Sequence, residues 1–533
     1  MRTDEGERRA CLGLAPVWPL RPFAAAAIAL VLVLLASAVT WPMACSDGAR
    51  DQADTLYNAW LLAWNNHALL SGMNPLTPPI FLGQPDGAGR GDLLLAQSLA
   101  GAPLLGLGTT PIRAHNMLFV LSIAFAGWTV MLLARRMGAD LWGGFFAGCA
   151  CVCLPYFQSH LWHLQLASVG LGVLALERSM AFLDHRSRGW WIPALILLQG
   201  AASLYQWMFT NLAMALILIW ALARGLRKRP ALLFGLAALG NALMAPLLTH
   251  HLSNAASWPV DQIASVDLMA FLSPWESSLL LGGARPGVVF GEVALWPGSA
   301  VVVGAAAALM ASRLRRRIPA PWLLAGLTVF FGALSLGPTL VAMGRQLSPA
   351  PFRLLAMLPG MASIRLPARA GFFALLPLLV IAAIALRGKP GLAIAAAIAC
   401  LVEVLPRPLS MYEVPRRDEH RWVAENHPAS VVFLPLDPSL ERPERECERL
   451  YGSTLHYTPM VNGYSTSLPE GYRETVEILN RWPESKADSL LDLLGVECVV
   501  YQGGELPQAN AVLGDGRISA SIFLRQQRAN NSR

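Results

Sequence analysis

Long apolar runs dominate this chain and restrict what it can fold into more than any other feature. A helix crossing a bilayer needs roughly 20 mostly apolar residues, because hydrocarbon offers no partner for a bare N–H or C=O. About eleven stretches meet that standard. They lie near residues 22–42, 115–134, 140–157, 164–182, 190–204, 206–223, 230–249, 295–312, 321–343, 370–386 and 390–405. The fifth and sixth are parted by little more than the polar pair Tyr205 and Gln206. Charged residues make up only 14% of the chain, where a soluble domain carries about a quarter. Mean hydropathy is +0.46. The pattern predicts a polytopic α-helical membrane protein.

The net charge of +7 does not point to nucleic acid, because the basic residues form short clusters between apolar runs instead of one solvated stripe. These clusters are Arg135–Arg136, residues 185–189, 224–229, 313–317 and 387–389. They fall at alternate connections, so the positive-inside rule places all of them on the cytoplasmic side with residues 1–21. The first run follows Arg8, Arg9 and Arg21 in the manner of a signal peptide. With so many spans behind it, it reads as a retained first helix of the 22–405 membrane domain. Loops 43–114, 250–294 and 344–369 then face outward, as does a tail over 406–533.

The tail has a different texture. "SVVFLPL" at 430–436 and "VECVVY" at 496–501 suit short strands. "GYRETVEILNRW" and "ADSLLDLLG" suit amphipathic helices, the second ending on Gly495 as a C-cap. A small extracytoplasmic α/β domain is expected, closing on a polar, disordered "RQQRANNSR". Cys149, Cys151 and Cys153 alternate within a span as small packing residues. Cys447 and Cys498 both fall in the exported tail, which leaves a disulfide between them open.

The first outward loop concentrates acid: Asp47, Asp51 and Asp54 precede "TLYNAWLLAW". On a helix over 54–67, Leu56, Trp60, Ala63 and Trp64 share one face and Asp54, Asn58 and Asn65 the opposite one. A helix lying at the membrane interface is expected, with its tryptophans at headgroup level and Asp54 toward water or a cavity. Asp51 or Asp54 would equally serve as a helix-capping acid.

Several stretches together resemble the GT-C superfamily of membrane glycosyltransferases, and more narrowly a bacterial group of GT-C-like proteins. They are "DTLYNAWLLAW", "AHNMLFVLSIAFAGWTVMLLARRMGA", "LPYFQSHLWHLQLASVGLGVLALER", "GEVALWPGS", "SIRLPARAGFFALL" and "PMVNGYSTSLPEGY". The likeness covers about residues 20–502. It implies a GT-C-like bundle in a bacterial cytoplasmic (inner) membrane and a polyprenyl-phosphate-linked sugar donor. The implied chemistry is inverting transfer to an extracytoplasmic glycan, lipid or protein. It further implies that an acid of the first outer loop is the catalytic base. By motif match this is Asp54; Asp47, nearer the first span, is the alternative.

A carboxylate there would take the proton of the attacking hydroxyl. The departing polyprenyl phosphate needs fixed cations or a divalent metal such as Mg or Mn, whose ligands the sequence does not define. Arg365 and Arg369, on the outer side, are the phosphate candidates, since a guanidinium matches phosphate oxygens; anchoring to lipid headgroups is the alternative. His160 and His163, three apart on one helix face, could hydrogen-bond a phosphate or sugar, with Gln165 beside them. Glu292, close to the bilayer, is an acceptor or metal candidate. Asn58 belongs to the first motif. Asn462 and Tyr464 in "HYTPMVNGYS" suit carbohydrate or a docking turn. A transporter would carry charges at mid-span, which these runs nearly lack; a non-catalytic scaffold in envelope polysaccharide assembly is the other alternative.

Overall fold

A computed structural model describes residues 14, 17, 20–83, 91–252, 258–274, 278–280, 294–311, 318–357, 361–406, 408–415, 418–437, 443–465, 468–502 and 521–524. Glu292, Glu276, residues 313–317 and the closing "RQQRANNSR" lie outside them. The chain forms two compact units: Met1–Cys45, Asn116–Leu248 and Ala256–Leu409 in the first, and Ser46–His115, Thr249–Ala255 and Ser410–Arg533 in the second.

In the first unit the apolar runs are helical, as their composition requires. Among the described residues seven helices in the chain are long and apolar enough to cross a membrane, and four shorter apolar helices complete the eleven runs. The chain is a multi-pass membrane protein. Gly371–Ala385 is the hub: it is apolar all round, as a helix must be when neighbours cover every side, and almost every residue in it is buried. It packs on Leu141–Val152, Ser299–Met310 and Pro321–Ser335. Small residues allow this. A Cβ added to Gly143 would lie 2.3 Å from the Ala383 carbonyl oxygen, and one on Gly304 would lie 3.0 Å from the Ala382 Cβ. The outer helices Pro22–Val39 and Lys228–Leu252 instead turn Leu30, Leu34, Phe234, Leu239 and Leu243 outward, an arrangement that hydrocarbon tolerates and water does not.

Two run boundaries move. The break between the fifth and sixth runs falls at Ser203, whose extended backbone ends Trp191–Ala202 and whose hydroxyl accepts from Gln206 N. Tyr205 and Gln206 thereby join the first turn of Leu204–Ala223. The ninth run does not continue to 343: Pro321–Ser335 stops before Gly337 (φ +78°) and Pro338, which cannot extend a helix. The chain returns as a hairpin, β1 (Thr339–Ala342) against β2 (Arg345–Pro349), over Met343 (φ +50°) and Gly344 (φ +76°).

The second unit has a three-stranded sheet in which β3 (Val431–Leu434) runs parallel to β4 (Cys498–Tyr501), and β4 antiparallel to β5 (Ser521–Leu524). Val431 pairs with Cys498 and Val499 with Phe523. Both tail helices form, as Tyr472–Leu479 and Ser485–Leu493. The second closes as the sequence suggested. Gly495 adopts φ +66°, its N–H reaches the Asp492 carbonyl, and Val496 N–H reaches that of Leu491, the paired bonds of a Schellman cap. Cys447 and Cys498 are free, buried thiols, so no disulfide joins them.

The helix Asp54–Leu70 corrects the interfacial expectation. Twelve of its residues are buried, including Asn58, Trp60, Trp64, Asn65 and Asn66. It is sandwiched between Leu95–Gly106 and Glu444–Gly452, so its polar face is as covered as its apolar one. The buried groups are satisfied inside the protein. Trp60 Nε1 donates to Ser453 Oγ, Trp64 Nε1 to the Pro75 carbonyl, and Asn65 Nδ2 to Leu93 O and Ser98 Oγ. The tryptophans are core residues here, not headgroup anchors.

Candidate functional site

The acids of the second unit occupy distinct positions. Asp51 caps the helix, its Oδ1 accepting from Thr55 N at 2.8 Å. Asp47 accepts from Thr110 Oγ1 at 2.6 Å and pairs with the Arg113 guanidinium, so both its oxygens are engaged. Asp54 opens the first turn of Asp54–Leu70 and is half-buried, where the helix dipole favours a negative charge. Its surroundings are aromatic. The Tyr57 and Tyr464 rings meet edge to face at 5.2 Å, above an apolar cluster of Ala49, Leu56, Ala59, Ile112 and Cys447. Tyr57 rests its hydroxyl on Gly91, where an added Cβ would lie 2.3 Å from it.

Burial and the charges of Asp54 and Asp51 push the Cys447 thiol well up, and burial with Asp54 does the same to the Tyr464 phenol. Tyr57 is raised by burial first and then by Asp92, Cys447 and Asp54. Raised values keep these groups protonated at neutral pH, so the carboxylate of Asp54 has neutral hydroxyls and a thiol as neighbours.

In the first unit a polar cluster is set among the apolar helices. Leu141–Val152 ends at Cys153, and a short turn, Pro155–Gln158, leads through His160 to Leu164–Ala167. His160 and His163 therefore do not share a continuous helix face, because Pro155–Gln158 ends at Ser159 and the next helix begins only at Leu164. Their rings still come within 5.8 Å. His160 Nδ1 donates to the Tyr156 carbonyl at 2.6 Å, which leaves the lone pair on Nε2. Arg369, in the turn Pro367–Ala370, is buried, with Nη2 3.5 Å from His163 Nε2 and its guanidinium 4.7 Å over the Tyr205 ring. Its carbonyl accepts from the Tyr156 hydroxyl, which in turn accepts from Gln206 Nε2 at 3.1 Å.

The expected residues thus divide. His160, His163 and Arg369 come together, as do Asp54 and Tyr464. Arg365 is exposed and stacks 4.9 Å over Trp258, apart from the histidine cluster. Gln165 and Asn58 are buried. Asn462 is a structural residue: fully buried, it accepts from Phe433 N at 2.7 Å and donates to Phe433 O and Glu446 Oε2, each at 3.0 Å. Both of its amide donors are engaged within the second unit. Glu292 lies outside the described residues. Tyr156, Tyr205 and Gln206 are additions. For Tyr205 and Gln206 the signal was a polar pair interrupting an apolar stretch, which a span count treats as a boundary. Among the described residues no three His, Cys, Asp or Glu side chains gather as metal ligands do.

No protein-family model matches the sequence, and no curated protein does. Solved structures do match in fold. The arabinofuranosyltransferase AftD from mycobacteria aligns over 96% of this chain at 15% identity with a TM-score of 0.57. A mutant of that protein aligns over 95% at 16% identity with a TM-score of 0.59. This chain spans about two fifths of their length, 40% and 42% respectively. An oligosaccharyltransferase from Archaeoglobus fulgidus aligns over 90% of this chain and 70% of its own, at 12% identity and a TM-score of 0.48. The chain has a GT-C-like fold.

Proposed function

We propose that the protein is an inverting glycosyltransferase of the bacterial cytoplasmic membrane. It would move a sugar from a polyprenyl-phosphate carrier to an extracytoplasmic acceptor. The observation that carries this is the fold shared, over nearly the whole chain, with an enzyme named as an arabinofuranosyltransferase. Fold alone does not fix chemistry, and the side chains supply the rest of the support.

Asp54 serves as the base. The acceptor hydroxyl attacks the anomeric carbon from the side opposite the phosphate and forms the new C–O bond. Its proton passes to the Asp54 carboxylate, and the bond from the anomeric carbon to the phosphate oxygen breaks with its electron pair. Within the first unit, Arg369 is the residue whose own chemistry suits a phosphate. A buried guanidinium already held over Tyr205 loses little freedom on binding, and in a site of low dielectric its charge acts strongly on a developing anion. His163 orients it, and His160 contributes a further ring nitrogen. Asp47, committed to Arg113 and Thr110, is the poorer base.

The test uses the purified full chain in nanodiscs, a radiolabelled polyprenyl-phosphate sugar and membranes of the producing bacterium as acceptor. Label should pass to an acceptor with inverted anomeric configuration, and Arg369→Ala should lower the rate about a hundredfold. Retained configuration, or full activity in Arg369→Ala, contradicts the assignment.

A further inference from the structure

The first unit holds a cleft that none of these roles uses. It encloses about 770 Å³ between residues 260–270 and the β1–β2 hairpin, within the range of roughly 300–1,000 Å³ typical of small-molecule sites. Its lining includes the buried apolar side chains Ile263 and Val266. Its walls carry Asp261, Thr339, Gln346, Ser348 and Arg353. Gln346 and Ser348 flank an irregularity in the ladder, pairing with Val341 and Leu340 respectively while Leu347 is left out of the register, and all three belong to the lining.

Charge narrows the ligand. Asp267 also lines the cleft, but its carboxylate accepts from Met269, Met343 and Gly344 N–H and serves to pin the hairpin turn. Among the described residues, the remaining ionic side chains of the lining are one acid, Asp261, and one base, Arg353. A single cation opposed by a carboxylate suits a neutral ligand better than a phosphate. Hydroxyl, amide, carboxylate and guanidinium groups interspersed with apolar side chains match a polyol whose ring faces are apolar and whose edges are hydroxylated.

We infer that this cleft is a binding site for uncharged carbohydrate, taking sugar residues of the acceptor glycan. The assignment of these sugars to the acceptor rests on the transferase reading above; the cleft's chemistry does not.

The experiment places p-benzoylphenylalanine at Ser348 of the full chain in the producing cells, with the same substitution at exposed Leu354, outside the cleft, as control. After irradiation the adducts are read by carbohydrate staining and by mass spectrometry of the crosslinked peptide. A carbohydrate adduct at Ser348, at least tenfold above Leu354, is expected. Arg353→Ala and Gln346→Ala should each lower it about tenfold through lost hydrogen bonds. Adducts with phospholipid or protein, or no adduct above control, overturn the proposal. The same crosslink is repeated in an Asp54→Asn chain. Sugar captured while no variant or wild-type chain transfers label would leave the cleft standing and remove the transferase. Intact transfer without captured sugar would do the reverse.

Discussion

Asp267→Ala should loosen the β1–β2 hairpin without unfolding the chain. The Asp267 carboxylate accepts from Met269 N at 2.8 Å, Met343 N at 3.1 Å and Gly344 N at 2.6 Å. Met343 and Gly344 both sit at positive φ, a turn in which a non-glycine residue needs outside support. Each charge-assisted bond contributes about 1.5–3 kcal/mol when its partner cannot turn to water. The hairpin is exposed, so water recovers part of this, and a net local loss of about 2–4 kcal/mol is reasonable. Amide hydrogen exchange with mass spectrometry on the full chain measures it directly. The amides of residues 341–346 should exchange about 30- to 900-fold faster in the variant, at 1.36 kcal/mol per decade. Asp267→Asn retains one acceptor oxygen and should fall between. Unchanged exchange in Asp267→Ala would show that the turn holds itself, and the account of this carboxylate would be wrong.

Asn462→Ala should strand the Phe433 backbone groups and Glu446 in the core, lowering the stability of the second unit by about 2–4 kcal/mol. Tryptophan fluorescence during thermal unfolding checks it, and a wild-type transition temperature would contradict the structural role. His456 is held down to about 4 by burial. Its Nδ1 accepts from Thr458 N and its Nε2 faces His420 Nδ1 at 3.1 Å. A folded value below the unfolded one means the unfolded chain binds the extra proton first. Stability is therefore full above about pH 6.5 and declines by up to about 3 kcal/mol as pH falls toward 4. Unfolding midpoints at several pH values should show that slope in the wild type and a shallower one in His456→Gln.

The helical layout was legible because its signal is local: an apolar run must be helical in hydrocarbon wherever its neighbours lie. The ends were legible less often. Gly337–Pro338 stops a helix through backbone geometry that a hydropathy count does not weigh. Helix Asp54–Leu70 read as two-faced because the groups that cover its polar side, Leu93 O and Ser98 on and before Leu95–Gly106, are brought back to Asn65 and Asn66 only by folding. A distance effect likewise hid the role of Asn462, whose partners lie on β3 and in Glu444–Gly452. At the candidate site, the charged residues announced themselves by being out of place in apolar sequence. Arg369 and His163 did meet, whereas Arg365, only one helical turn away, points to Trp258. Tyr156 and Tyr205 carried no charge to notice. Their contribution is to hold a cation through a carbonyl and a ring face, and that appears only when three separate helices are packed.

The most direct test of the account is the transfer rate of Asp54→Asn in nanodiscs, measured beside Asp47→Asn with a labelled polyprenyl-phosphate sugar. Loss of a general base predicts a fall of about 10²- to 10⁴-fold for Asp54→Asn, with an unchanged unfolding midpoint. Asp47→Asn should keep most of the activity. Wild-type turnover in Asp54→Asn would contradict the central claim.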